Sequence, residues 1–138
     1  MSSAPQLLAD RYAAVWNEPD ADRRRAEIAD LFAADAVHLL QPPQDVRKAA
    51  VDLGFNRPVL EARGRESLEY RVRRAYEEFV APGVHEFRSR QDAEQLADVV
   101  TFHWEMVGRR DGEVVGVGRE ILVLDKEDRI ARDYQFVE

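Results

Sequence analysis

Three histidines and no cysteine set the proton chemistry open to this 138-residue chain. The composition excludes a thiolate nucleophile, a disulfide framework and a cysteine-ligated metal, leaving acid–base work by imidazole and carboxylate. The stretch Thr101-Phe102-His103-Trp104-Glu105-Met106 offers a first pair, because His103 and Glu105 stand two apart in an alternating run and so share one face of a strand. His38 offers a second. It shares a face with Leu40, and on a pocket wall it is the best-placed general base in the chain; otherwise it is a structural histidine hydrogen-bonded at a helix-to-strand junction. His85 has no evident partner and reads as surface.

The faces decide between these candidates. Around His103, the residues Val100, Phe102, Trp104 and Met106 form one side and Thr101, His103, Glu105 and Val107 the other, and the first is the side to bury. His103 and Glu105 then point outward. In a pocket walled by Phe102 and Trp104, Glu120 would be desolvated, which raises a carboxylate's pKa and keeps the acid protonated as a donor to a developing enolate. Its other reading is an ion pair with an arginine such as Arg71 or Arg74.

These residues depend on the elements that carry them. Ser3-Ala4-Pro5-Gln6 has the pattern of a capping box, and Leu8, Tyr12, Val15 and Trp16 recur at helical spacing, which predicts a helix to about Asn17. Asp20 or Asp22 caps a second helix with Ile28, Leu31 and Phe32 inward, and Asp35-Ala36 ends it before a short strand at 37–40. Residues 41–63 hold three prolines and one glycine without sustained period, so they read as a long excursion with one short helical turn at 46–53. Gly64 opens a third helix with Leu68, Val72, Ala75, Tyr76 and Phe79 on one side, and Ala81-Pro82-Gly83 stops it.

Alternation at period two follows over 84–90, 98–108, 113–124 and 129–137, with turns at Asp111-Gly112 and 125–128. The expected class is α+β: three N-terminal helices packed on a curved, mostly antiparallel sheet, forming one domain over 1–138. Ile121, Val123, Ile130, Tyr134 and Phe136 fall on the face away from the helices. That much outward apolar surface predicts a partner, and an isologous homodimer through the outer sheet face is expected.

Composition narrows the function classes further. The chain is 45% hydrophobic and 34% charged, and no apolar run approaches the roughly 20 residues of a membrane span. Its first residues show neither a basic region nor an apolar core of a secretory signal, so a cytoplasmic location is the default. With a net charge of -7 and basic residues interleaved with acids, no nucleic-acid partner is expected; Arg23-Arg24-Arg25 reads as a solvated helix start. No glycine-rich phosphate loop and no histidine cluster with ligand spacing occurs, so neither nucleotide nor metal is expected.

Arg11-Tyr12, the run Leu31-Phe32-Ala33-Ala34-Asp35-Ala36-Val37, Gly64-Arg65-Glu66 and the final hairpins through Asp133-Tyr134 carry a resemblance over nearly the whole chain. In this order and spacing they resemble the nuclear-transport-factor-two-like superfamily of α+β cone folds, which includes SnoaL-like polyketide cyclases, ketosteroid isomerases and limonene epoxide hydrolases. The resemblance implies a pocket between the concave sheet face and the helices. It matches Tyr12 to the tyrosine that donates to the steroid oxyanion, and Glu120 to the carboxylic acid sharing that task. Phe102, Trp104 and Met106 match the apolar pocket wall. Trp16 and Phe32 are either packing or the pocket mouth.

The departures from the family are informative. The isomerase base, an aspartate ending the first strand, is replaced by Leu40, or by Gln41 with a one-residue shift, and neither titrates at neutral pH. Of the epoxide hydrolase arginine and two aspartates, the first two would fall on the Phe102–Trp104 face, which has none. The last-strand aspartate corresponds to Asp133 or Gln135, and SnoaL-like cyclases also carry an aspartate on this strand. Alternation alone would leave Asp133 and Gln135 outside; the resemblance turns them inward.

The expectation is therefore a cofactor-independent enzyme of SnoaL-like type, catalysing proton transfer on a small, apolar carbonyl- or epoxide-bearing molecule by isomerisation, cyclisation or epoxide opening. His38, Asp133, Glu120 and Tyr12 would do the chemistry. Trp16, Phe32, Leu40, Phe102, Trp104, Met106 and Gln135 would bind the substrate. The other reading is a non-catalytic ligand-binding or protein-assembly module on the same fold, and convergence of His38, Asp133 and Glu120 on one cavity separates the two.

Overall fold

A computed structural model describes residues 3–138. The Ser3 hydroxyl accepts from the Gln6 backbone N–H at 3.3 Å and caps α1 (Ala4–Asn17), with Pro5 in its first turn. The Asp20 carboxylate accepts from the backbone N–H groups of Asp22 and Arg23 and so starts α2 (Ala21–Leu31). The chain then passes directly into β1 (Phe32–Gln41), which begins at Phe32 and not at Val37. Helix and strand both need an inward apolar residue at that point, so Phe32 fits either pattern.

Next come α3 (Gln44–Asp52), β2 (Leu60–Arg63), α4 (Arg65–Ala75) and a π-helical turn at Tyr76–Val80. Five strands complete the chain: β3 (His85–Ser89), β4 (Glu94–Leu96), β5 (Val99–Gly108), β6 (Val114–Leu124) and β7 (Ile130–Val137). The helix count is thus four and not three, since the short turn expected in 41–63 is the full α3. Strands β2 and β4 are also additional. Leu-Glu-Ala-Arg and Glu-Gln-Leu are too short and polar to show a buried face, and they are held by backbone pairing to β1 and β5. Phe79 was expected inward, but the wider π turn rotates it to 39% exposure and buries Val80 instead.

The sheet runs β2-β1-β7-β6-β5-β3, with β4 beside β5. Its pairs are antiparallel except β1 with β7, which is parallel. Helices α1, α2 and α4 cover one face, and Tyr12, Trp16, Ile28, Leu68, Phe102 and Leu122 belong to the continuous core between them. Burying each such side chain contributes about 1.5–3 kcal/mol. By contrast, α3 buries none of its residues. Among the described residues no helix is long and apolar enough to cross a membrane.

One irregularity positions the site. Val123 pairs with Arg132 but Leu124 pairs with Ile130, so Ala131 is an extra residue in β7. A single inserted residue exchanges the two faces of a strand. Before the bulge Ile130 points into the core, fully buried, which corrects its expected place on the outer face; after it, Asp133 and Gln135 point inward and are 0% and 5% exposed. Ile121, Val123, Tyr134 and Phe136 remain half-buried on the far side. Val107, assigned to that side from alternation, is buried beyond a register shift at Met106/Val107.

Candidate active site

His38 on β1 and Asp133 on β7 are register partners across the parallel pair. Their side chains meet inside the protein, with His38 Nδ1 2.9 Å from Asp133 Oδ2, and the Tyr12 hydroxyl of α1 donates to the same oxygen at 2.6 Å. Burial alone would push the Asp133 carboxyl up. The adjoining His38 imidazole and hydrogen bonds from Glu120, His38 and Tyr12 outweigh it and hold Asp133 below the usual carboxylate range. The Tyr12 phenol is pushed well above its ordinary value, first by burial and then by the charges of Asp133 and Glu120, so it keeps its proton.

These protonation states fix the histidine tautomer. An ionised carboxylate only accepts, so the ring nitrogen facing Asp133 must carry hydrogen. In the neutral ring the lone pair is then on Nε2. That atom is buried and has no hydrogen-bond partner.

Behind Asp133 lies a second carboxyl. Glu120 on β6 is the register partner of Gln135 on β7, and its Oε1 accepts from Gln135 Nε2 and from Trp104 Nε1, the latter at 2.9 Å. Burial foremost, then the charge of Asp133 and a hydrogen bond with it, push Glu120 well above the usual range and so favour its protonated form. Glu120 Oε2 and Asp133 Oδ1 are the carboxyl oxygens of this cluster left without a conventional partner. A proton carried on Glu120 Oε2 and donated to Asp133 Oδ1 satisfies both atoms. Arg71 of α4 extends the chain outward, donating to Gln135 Oε1 at 3.2 Å.

The cluster reaches a cleft through His38. Between α4 and the β1–β2 edge lies an open cleft of about 870 Å³, with His38, Leu40, Leu60, Tyr70 and Arg71 among its walls. Trp16 neighbours both polar groups: the Arg71 guanidinium carbon stands 5.0 Å from the centre of the Trp16 ring, which lies 5.9 Å from that of His38.

Among the residues singled out from sequence, His38 and Leu40 line this cleft. Asp133 stands directly behind His38. Tyr12 and Glu120, expected as oxyanion donors to substrate, instead direct their protons at Asp133 and are sealed at 2% and 0% exposure. Phe102 and Phe32 are core residues packed on Tyr12 at 5.5 and 6.2 Å between ring centroids. Trp104 lies across Gly118, and Met106 faces Gly116. None of Phe32, Phe102, Trp104 or Met106 walls the cleft, because aromatic side chains fill the concave space where the family pocket was expected. Trp16 is buried beneath Arg71, and Gln135 bridges Arg71 to Glu120.

His103 and Glu105 take no part. They lie outside, His103 with Asp92 at 2.7 Å and Glu105 with Arg88 and Arg90. Arg71 was foreseen only as an ion-pair partner for Glu120, a place that Gln135 takes; its role as a wall was missed. Its signal was an arginine three residues after Leu68 and four before Ala75, on the apolar side of α4. Among the described residues no group of three or more His, Asp or Glu side chains is arranged to hold a metal ion.

No protein-family model and no curated protein sequence matches the chain. Solved structures do match over almost its full length. A proposed isomerase of the SnoaL-like family from Agrobacterium tumefaciens superposes with a TM-score of 0.76 at 20% identity, covering 99% of each chain. A SnoaL-like protein of unknown function from Burkholderia thailandensis gives 0.65 at 19% identity, covering 97% of this chain and 93% of that one. A proposed polyketide cyclase from Sinorhizobium meliloti gives 0.57 at 15%, covering 93% and 92%. Identities this low show the fold alone, and the fold is nuclear-transport-factor-two-like.

Proposed function

We propose that this chain of nuclear-transport-factor-two-like fold is a cofactor-independent enzyme that moves a proton on a small carbonyl- or epoxide-bearing molecule held between α4 and the β1–β2 edge. His38 is the general base, Asp133 its orienter, and Tyr12 and Glu120 the positioning residues that keep Asp133 ionised and fixed. The reading rests above all on His38, a residue lining the cleft whose buried Nε2 is unpartnered and whose opposite nitrogen is tied to a buried carboxylate. That is the arrangement of a base whose tautomer and orientation are set in advance.

In the proposed step Nε2 takes a proton from the carbon beside a carbonyl, the electron pair moves to the carbonyl oxygen, and the imidazolium formed is stabilised by Asp133. Return of that proton to another carbon gives isomerisation, and attack of the enolate on a second carbonyl gives cyclisation. The proposed isomerase of the SnoaL-like family and the proposed polyketide cyclase among the matched structures are compatible with either outcome. We also propose that the outer sheet face, with Ile121, Val123, Tyr134 and Phe136, meets a second copy of the chain.

Transfer of deuterium from D2O into a panel of small ketones tests the base. Exchange in the wild type that disappears in His38→Gln, with ligand-induced thermal shifts retained, supports catalysis. Binding without any exchange would leave the alternative, a ligand-binding module.

A further inference from the structure

Arg71 stands at the cleft with Asp133 and Glu120 acting on its charge only through space and no carboxylate of the described residues in direct contact. Among the described residues it forms no salt bridge, whereas its neighbours on the cleft wall, Arg73 and Arg74, both pair with Glu77. The acids of the same wall are committed elsewhere, Glu61 to Arg63 and Glu69 to Arg25; Glu66, unpaired, stands five residues before Arg71, more than one turn away along α4. A single donor of the guanidinium is used within the protein, on Gln135 Oε1. Its remaining N–H groups are not among the sealed, unpartnered atoms of the core and open into the cleft.

The side chain is also held in place. It lies over Trp16, is fixed at one edge by Gln135, and is mostly withdrawn from water, which lowers its pKa without removing its charge. A desolvated, pre-oriented guanidinium with free donors is the protein group best matched to a planar oxyanion, because its fork presents two parallel N–H bonds. Leu40, Leu60 and Tyr70 supply apolar surface beside it.

We infer that the cleft takes an amphiphilic carboxylate, its carboxylate paired with Arg71, its apolar body against Leu40, Leu60 and Tyr70, and its reactive carbon at His38. This rests on the proton-transfer reading for the His38 half; the Arg71 half stands without it. Both groups neighbour the one Trp16 ring and line the one cleft, so the acidic carbon belongs a few atoms from the carboxylate, as in a 2-oxo acid.

The test uses 4-phenyl-2-oxobutanoate and its primary amide, which differ in charge but hardly in shape. Binding is followed by NMR of the Arg71 and His38 side chains, and exchange at the carbon beside the ketone is followed in D2O. The carboxylate should bind about tenfold or more tightly than the amide, and the preference should weaken with added salt. It should collapse in Arg71→Gln and be kept only in part in Arg71→Lys, which retains the charge but not the fork. Equal binding of the two probes by the wild type, including binding of neither, overturns the inference even if Arg71→Gln fails to fold. A preference unchanged in folded Arg71→Gln overturns it too. Charge-selective binding without exchange leaves this inference standing and removes the base; exchange of both probes without charge preference does the reverse.

Discussion

The imidazole of His38 and the carboxylate of Asp133 meet at 2.9 Å across the parallel strand pair, both withdrawn from water. Removing the carboxylate's charge tests what that contact does. In Asp133→Asn the side-chain amide can donate to His38 Nδ1, which would move the ring hydrogen to Nε2 and leave that nitrogen without its lone pair. Nitrogen-15 NMR of the imidazole should show the Nδ1–H form in the wild type and the Nε2–H form in the variant. Any turnover should drop by about 10²–10⁴-fold. The same tautomer in both proteins would remove Asp133 as orienter.

Tyr12→Phe removes the second donor to Asp133 Oδ2 while keeping the aromatic ring. The lost buried hydrogen bond should cost about 1–2 kcal/mol at neutral pH. Asp133 is depressed in the folded protein, so its stabilising contribution is present above the unfolded carboxyl value of about 3.9 and disappears as pH falls through the lower folded value. Without Tyr12 the folded value rises toward the unfolded one, so the loss on acidification still begins near the unfolded value but should be smaller and end at a higher pH. Urea denaturation between pH 3 and 7 reads this directly, and parallel acid limbs in the two proteins would contradict it.

Glu120 has the opposite sign. Its folded value is raised, so its contribution is complete below the unfolded value of about 4.3 and falls away as pH rises toward the folded value. Glu120→Gln keeps an acceptor for Trp104 and Gln135 and a donor for Asp133, with nothing left to ionise. The variant should match or exceed the wild type at pH 8 and lose the decline between pH 5 and 8. Glu120→Ala should be destabilised by about 1–3 kcal/mol, leaving Trp104 Nε1 and Asp133 Oδ1 unpartnered. A Gln variant as weak as the Ala variant would mean that Glu120 is ionised in the folded state.

The sequence carried the core and the period-two strands plainly, because Val100, Phe102, Leu122 and their neighbours repeat without interruption. It carried the inward turn of Asp133 only through family likeness, since a bulge at Ala131 adds one residue to β7 and leaves no mark in hydropathy. The cleft was hidden for a different reason. One of its walls is β2, four residues long and mostly exposed, and its position follows from pairing with β1 across an excursion without period. Aromatic packing sealed the expected pocket wall, and periodicity reports which residues are inward without telling core from cavity.

Gly118 faces Trp104 across β5 and β6, and a Cβ there would collide with the Trp104 ring carbon Cζ2. The clash falls on a rigid indole whose Nε1 is tied to Glu120, so neither side can yield without breaking that bond. Gly118→Ala should therefore cost about 1–3 kcal/mol and shift the Trp104 indole N–H resonance toward that of a solvent-exposed group. Trp104→Leu removes the ring that clashes, so adding Gly118→Ala to Trp104→Leu should cost much less than adding it to the wild type. Strict additivity of the two changes in chemical denaturation would show that Gly118 is required by the strand backbone and not by the indole, and would detach Trp104 from the positioning of Glu120.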